Sequence, residues 1–385
     1  MTSSWIVPGV YRAEIAIAPR SGMAGAVPLF LGIAGSDNQA GAALALQSWP
    51  QFEAAFNAAA TASPELRYAV RGFFENGGQV CYVLPFSRYF LVIEDMLRAA
   101  LAASETLSEI DLVCAPDLQR FGGPRYSRPA LDPALQHIIL EHCRASGYRF
   151  ALLDSSSNAS VDDLLVRRER LEHDYGALYA PWLVVQAPGG GTVTVPPCGH
   201  IAGIYARSDL RIGVHKAPAN ESAEGVVDVV RAFEAADQAQ LARNGVNYLR
   251  PFAGRGIRVW GAWTLSGDPA WRYVPVRRLF LSVGRWLEQF MAQLAFEDND
   301  VRLWARILRE LSAYFDGLYR RGALQGMRPE QGYYIKCDAE TNTAERIERG
   351  EVVTEIGLAP TIPGEFIVAR IVHSASGVSI SNAPV

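Results

Sequence analysis

Apolar residues along this chain recur with two different periods, and the changes between them mark out its elements. Continuous apolar runs at 27–34 (VPLFLGIA), 80–84 (VCYVL), 110–114 and 148–154 are bounded by turn residues and predict buried strands. Stretches with helical spacing lie between them. Ser48 reads as an N-cap ahead of Pro50, with Phe52 and Phe56 four apart. Further helices are predicted over 66–74, stopped by Asn76-Gly77-Gly78, and over 90–103 and 131–146. Strand and helix in alternation predict an α/β domain with a largely parallel sheet.

The later pattern is less regular. A charged helix is expected over 162–175, then a strand over 177–186 interrupted by Pro181. Gly189-Gly190-Gly191 marks a loop tip, Pro196-Pro197 a stiff re-entry, and 201–209 a short helix. Strands at 246–250 and 256–263 lead to long helices over 276–295 and 299–321, the second ending before Gly322. Strands follow at 332–338, 352–359 and 366–372, giving a smaller α+β closing domain whose boundary falls within 245–275.

Both ends alternate with period 2. Tyr11, Ala13, Ile15 and Ile17 oppose Arg12, Glu14 and Ala16, and Val378 and Ile380 oppose Ser379 and Ser381. Loop-like stretches at 20–25 and 373–377 set these segments apart from the body. A terminal strand without a hairpin partner beside it in sequence pairs with a distant strand, either in its own chain's sheet or in another copy. The expected division is an N-terminal strand arm (1–22), an α/β domain (23–245), a closing α+β domain (246–372) and a C-terminal strand arm (373–385).

Composition narrows the function. The chain of 385 residues is 49% hydrophobic and 20% charged, which fits a packed protein of two or three domains. A net charge of −4 gives no general nucleic-acid footprint, and no nucleic-acid partner is expected. No apolar stretch is long enough to span a bilayer, so no direct membrane insertion is expected. The opening MTSSWIVPGVYRAE has neither a basic n-region nor an apolar h-region, so no secretory signal is expected. The five scattered cysteines form no CxxC pair and read as buried, reduced thiols.

Candidate chemistry does not converge. Gly254-Arg255-Gly256 resembles the start of a dinucleotide fingerprint, but Val259 stands where the third glycine belongs. His137 and His142 are five apart and do not share a helical face as metal ligands would. Asp154, His200 and a later serine occur without a GxSxG elbow, so Asp154 reads as a strand-end cap and His200 as a hydrogen-bonded structural residue. Asp298, Asn299 and Asp300 lack calcium-loop spacing and read as the N-cap of the following helix. No catalytic residue, cofactor or metal site is expected. One charge feature stands out: residues 302–328 hold six arginines and two acids, a local excess of four positive charges. Leu303, Ile307, Leu311, Tyr314 and Leu318 would face the core, leaving Arg320 and Arg321 to reach outwards beside Gly322. A solvated helix face and a charged partner both fit that excess.

The motifs together resemble those of contractile tail sheath proteins, found in bacteriophage tails, R-type pyocins and extracellular injection systems. Pro8-Gly9-Val10-Tyr11 is similar to the family's opening, and residues 69–78 with Tyr82 and Val83 to its first crossover unit. Tyr179 to Trp182, the run 195–209 (VPPCGHIAGIYARSD) and 216–221 (KAPANE) carry the most specific likeness. Residues 247–250, 255–262, 296–300 with Leu303 and Trp304, 322–326, 336–338 and 341–343 extend it. Two positions depart from the family pattern: Cys198 stands where a small serine is usual, and Trp263 where an arginine is usual. The resemblance implies a subtilisin-like, non-catalytic α/β domain and a smaller α+β closing domain. It implies terminal arms that add strands to neighbouring subunits. It also implies a helical homopolymer around an inner tube protein, with baseplate and terminator or cap proteins as further partners. Assembly in the bacterial cytoplasm and function in a tail or released particle follow from the same likeness. Because the family docks its closing domain on the tube, Arg320, Arg321 and Arg328 become candidate tube contacts. A non-polymerising baseplate or adaptor protein of the same fold, and an α/β hydrolase, are the alternatives.

Overall fold

The computed structural model describes residues 26–34, 41–56, 62–86, 92–122, 131–361, 367–374 and 377–382. The first part alternates strand and helix: β1 (Pro28–Gly32), β2 (Leu44–Leu46), α1 (Trp49–Phe56), α2 (Pro64–Glu75), β3 (Cys81–Pro85), α3 (Ile93–Ala103), β4 (Leu112–Cys114), α4 (Pro133–Ser146), β5 (Phe150–Asp154), α5 (Val161–Arg170) and β6 (Gly176–Ala180). Next come β7 (Leu183–Gln186), β8 (Thr192–Val195), α6 (Cys198–Arg211), β9 (Val226–Val229), α7 (Ala235–Arg243), β10 (Asn247–Phe252) and β11 (Gly256–Trp260). The last part holds α8 (Val274–Ala292), α9 (Val301–Arg320), α10 (Pro329–Gly332), β12 (Tyr333–Lys336), α11 (Ala344–Glu348), β13 (Val352–Leu358), β14 (Ile367–Ser374) and β15 (Gly377–Asn382).

Eight strands form one sheet in the order β11-β10-β6-β5-β4-β1-β3-β2. Its six inner strands run parallel, and β2 and β11 close the edges antiparallel. Successive residues of β1 face opposite cores. Phe30 packs with Phe52, Phe73 and Ile204 on one side, and Leu29 and Leu31 with Leu97, Leu135 and Ile139 on the other. Helix ends are capped as their sequences imply: Ser63 Oγ accepts from the Leu66 N–H at 3.0 Å, and Ser160 and Asp163 form a capping box. Helix α6 lies so close to α2 that a Cβ on Gly199 would sit 2.1 Å from the Ala69 carbonyl oxygen. Only glycine permits that approach.

Several expectations are corrected here. The run 177–186 is two strands: β6 belongs to the large sheet, and after Pro181, which has no N–H for the ladder, β7 starts a separate sheet ordered β8-β7-β9. The helix expected over 201–209 spans Cys198–Arg211 and is buried on nearly every side, so it has little amphipathic signature. The charged helix expected to reach 175 stops at Arg170. Strands β10 and β11, which the division at 246 places in the closing domain, are hydrogen-bonded into the large sheet.

The closing unit packs α8 and α9 against an antiparallel sheet ordered β12-β13-β14-β15. Leu303, Ile307, Leu311, Phe315 and Leu318 of α9 are buried. Tyr314, expected with them, stacks on Trp286 of α8 with ring centroids 3.8 Å apart. The strand carrying Val378 and Ile380 has a neighbour in sequence after all: β15 pairs with β14, setting Val378 opposite His373 and Ile380 opposite Ile371. The arm positions Tyr11, Ala13, Ile15 and Ile17 lie outside the described residues.

Candidate functional site

The carboxyl ends of parallel strands are where open α/β sheets usually carry ligands or chemistry. Here that ground is filled by structural bonds. The Asp154 Oδ1, at the end of β5, accepts from the Cys198 N–H at 2.8 Å and so ties the sheet to the first turn of α6. Burial pushes its carboxyl up to about 7, against the hydrogen bonds from Cys198. The Cys198 thiol is pushed well above its ordinary value, by burial first and then by Cys114 and Asp154, which keeps it protonated and unreactive. Asp117, buried beyond β4, accepts from the Ile33 N–H and the Ser63 hydroxyl, both at 2.5 Å; burial pushes its carboxyl up to about 6.

His200 is buried with its ring against α2, where a Cβ on Gly72 would meet it at 2.4 Å. Burial and the Arg71 charge push its pKa down to about 4. Asp154 caps as expected. His200 is not fully hydrogen-bonded as expected: its Nδ1 has no partner among the described residues. Neither side chain is placed to activate a nucleophile. No group of three or more His, Cys, Asp or Glu side chains suited to a metal occurs among the described residues. Asp300 caps α9 by accepting from the Arg302 and Leu303 N–H groups at 2.8 and 3.1 Å, as its position ahead of the helix implies.

Charge is organised instead along α8 and α9. Three arginines of α8 point into the large-sheet unit. Arg278 clasps Asp209 of α6 through two bonds of 3.0 and 2.6 Å and reaches Asp111 at 3.3 Å. Asp111 in turn accepts from the Ala26 and Val27 N–H groups, joining the two residues ahead of β1 to the same cluster. Burial opposes the Arg278 charge, but Asp209 and Asp111 outweigh it and hold the guanidinium ionised. Arg277 pairs with Asp174 at 3.1 Å and lies 3.9 Å over the Tyr175 ring, and Arg285 donates to the Ile110 carbonyl at 3.1 Å. Sequence reasoning passed over all three, because an arginine in a helix reads as solvated until its burial is seen.

On α9 the pattern inverts. Arg302, Arg306 and Arg309 pair with Asp300, Glu297 and Glu310. Arg320, Arg321 and Arg328 are exposed and have no ion pair among the described residues. The structure thus brings these three to one end of the unit, around the turn after α9.

Comparison with known proteins follows this architecture. Residues 94–265 match the phage tail sheath protein central domain and residues 266–374 the phage tail sheath C-terminal domain, the two meeting just after β11. A chain of the anti-feeding prophage helical sheath in its contracted state is 30% identical, over 95% of this chain and 98% of that one, with a TM-score of 0.73. A chain of the PVC sheath complex of an extracellular contractile injection system, also contracted, is 26% identical over 95% of this chain and 97% of that one, with a TM-score of 0.73. The tail sheath protein of Salmonella phage ViI is 28% identical over 207 residues, 52% of this chain but 32% of that protein. The chain therefore spans about a third of that curated relative's length. These are structural sheath proteins and not enzymes. The chain belongs to the contractile tail sheath family, and it is a structural protein. No helix among the described residues is long and apolar enough to cross a membrane.

Proposed function

We propose that this chain polymerises helically around an inner tube, as an extended sheath that contracts and drives the tube into a target cell. The observation carrying this reading is the likeness, along 95% of the chain, to a subunit of a helical sheath in its contracted state. In this reading the large-sheet unit is the non-catalytic, subtilisin-like domain of the family. The termini, residues 1–22 and 373–385, link neighbouring copies by adding strands to their sheets, β15 exchanging its pairing with the β14 of its own chain for one with a neighbour. Strand addition suits the task because main-chain hydrogen bonds give a connection of about 0.5–1.5 kcal/mol per bond that survives rigid-body rotation of the subunits. Arg320, Arg321 and Arg328 meet acidic residues of the tube. Each such contact is weak, about 0–1 kcal/mol, which lets the sheath release the tube as it contracts. Baseplate and terminator proteins bound the polymer, which assembles in the cytoplasm before the particle leaves the cell.

Negative-stain microscopy of the purified chain, alone and with its tube protein, tests the reading. Long hollow cylinders are expected; monodisperse monomers under both conditions would favour a non-polymerising adaptor. Removing residues 375–385 sharpens the test. The truncated chain is expected to melt cooperatively yet form no cylinders, and cylinders of normal length from it would refute the linking role of the C-terminal arm.

A further inference from the structure

Strand β1 is entered through a residue that breaks its extended run. Ala26 is buried and has a φ of 54°, in the left-handed region that residues other than glycine avoid. Such a conformation persists where the surroundings over-determine it. Here Asp111, the residue ahead of β4, does so. Its two carboxylate oxygens accept from the Ala26 and Val27 N–H groups at 2.9 and 2.5 Å. The Asp111 and Leu112 N–H groups donate back to the Val27 carbonyl at 3.1 and 3.3 Å. Pro28, the next residue, has no N–H to give to the ladder. The start of β1 is therefore held by a side chain where a strand is ordinarily held by its own backbone donors.

The same aspartate reaches the rest of the molecule. Its Oδ2 also accepts from Arg278 of α8 at 3.3 Å, and Arg278 is held twice by Asp209 of α6. The Asp111 carbonyl accepts from the Phe150 N–H of β5 at 2.9 Å. Residues 26 and 27 are thus connected through one side chain to β5, α8 and α6. Asp209 alone balances the Arg278 charge, so Asp111 adds a second carboxylate to a cluster where only 15% of its side chain is exposed. Burying that extra charge is costly. What it supplies is strength, because hydrogen bonds to a carboxylate are about twice as strong as neutral ones. That strength stands where the N-terminal arm joins the body.

We propose that Asp111 is the anchor of the N-terminal arm. A pull on the chain ahead of Ala26 passes through Ala26 and Val27 to Asp111, and from there to α8 and α6. Without the anchor, a pull entering at the break in the extended run would not act in line with β1, and it would open the ladder bonds one after another. Two charge-assisted bonds loaded together ahead of the ladder shield it. Asp111 is a positioning residue, acting through the arm whose root it holds. The inference rests on the sheath reading, in which residues 1–22 link copies, and adds how that link is fastened to its own subunit.

Pulling on single full-length chains tests it. All five native cysteines are buried, so introduced thiols take the handles alone. Handles on Thr2→Cys and Arg309→Cys load the arm; handles on Asp162→Cys and Arg309→Cys load the body without it, both body positions being exposed. Asp111→Asn keeps the shape of the side chain and replaces its charge by a neutral amide, while Arg278 keeps Asp209. With this variant the first rupture in the arm geometry is expected at about half the wild-type force, since the charge-assisted bonds are lost, and the rupture in the body geometry is expected to be unchanged. An equal fall in both geometries makes Asp111 a general structural residue, and no fall in either removes it from the path of the pull; both results overturn the proposal. Hydrogen exchange on the unaltered chain gives a second check that does not depend on the variant folding. The Ala26 and Val27 amides are expected to exchange as slowly as those of Leu29–Leu31, and fast exchange at 26 and 27 beside slow exchange in β1 overturns the anchor. If the wild-type chain forms no cylinders with its tube, the sheath reading falls while the pulling result stands, so the two failures are distinguishable.

Discussion

The arginines of α8 and those at the end of α9 share a chemistry and have opposite fates. Arg277, Arg278 and Arg285 are buried and bonded to the large-sheet unit, whereas Arg320, Arg321 and Arg328 stand in water. The first set bonds the closing unit to the large-sheet unit. The second leaves charge available to a partner without weakening the fold. The difference lies in burial and not in residue type. A buried guanidinium must have its counter-charge within the fold, while an exposed one is free to find it outside.

The sharpest way to break the comparison is Arg278→Ala. It strands Asp209 and Asp111 in the interior, and a loss of about 3–5 kcal/mol is expected, measured by chemical denaturation. Arg278→Met combined with Asp209→Leu removes both ends of the pair and should recover most of that loss. If the double variant is as unstable as the single, the pair is not what holds the units together.

Asp154 is a third case, a buried acid that has no arginine and stays neutral instead. Its folded carboxyl titrates near 7, above the unfolded value of about 3.9, so the folded state keeps a proton that the unfolded state loses. Its contribution is therefore present at low pH and is lost as pH rises from about 4 to 7. His200 and His142, both held down to about 4, act in the opposite sense: their contribution is lost as pH falls from about 6.5 to 4. Asp154→Asn removes the first effect and leaves the second. Its stability should climb with pH between 5 and 7 more steeply than that of the wild type; parallel denaturation midpoints for the two proteins would contradict the assignment.

The smallest effect on stability belongs to the exposed set. Arg320→Glu with Arg321→Glu should shift the unfolding free energy by no more than about 1 kcal/mol. The same change should impair assembly on the tube, and added salt should weaken wild-type docking in the same direction. Normal tube-templated assembly by this variant, with unchanged salt dependence, would remove these arginines from the tube contact.

Much of the fold was legible from pattern. Strands β1, β3, β4 and β5 are continuous apolar runs, and α9 keeps a clean helical stripe. What escaped shares a physical cause. Strands β8 and β9 are short and half exposed, and α7 buries only Leu241, so none carries a strong period. Helix α6 failed for the opposite reason, being buried almost all round. The charge excess after α9 was visible in the sequence, and the hold of Asp111 on Ala26 and Val27 was not, because bonds between residues so far apart leave no local pattern.

The strand order of the large sheet carries a consequence for how the chain is made. β1 lies inside the sheet with β3 and β4 on its two sides, and β5, β6, β10 and β11 follow outwards from β4 in the order of the sequence. From β4 onwards, each strand leaving the ribosome meets an edge already laid down and adds to it. None of them has to be threaded between earlier partners, so the sheet can grow during synthesis at the pace of translation.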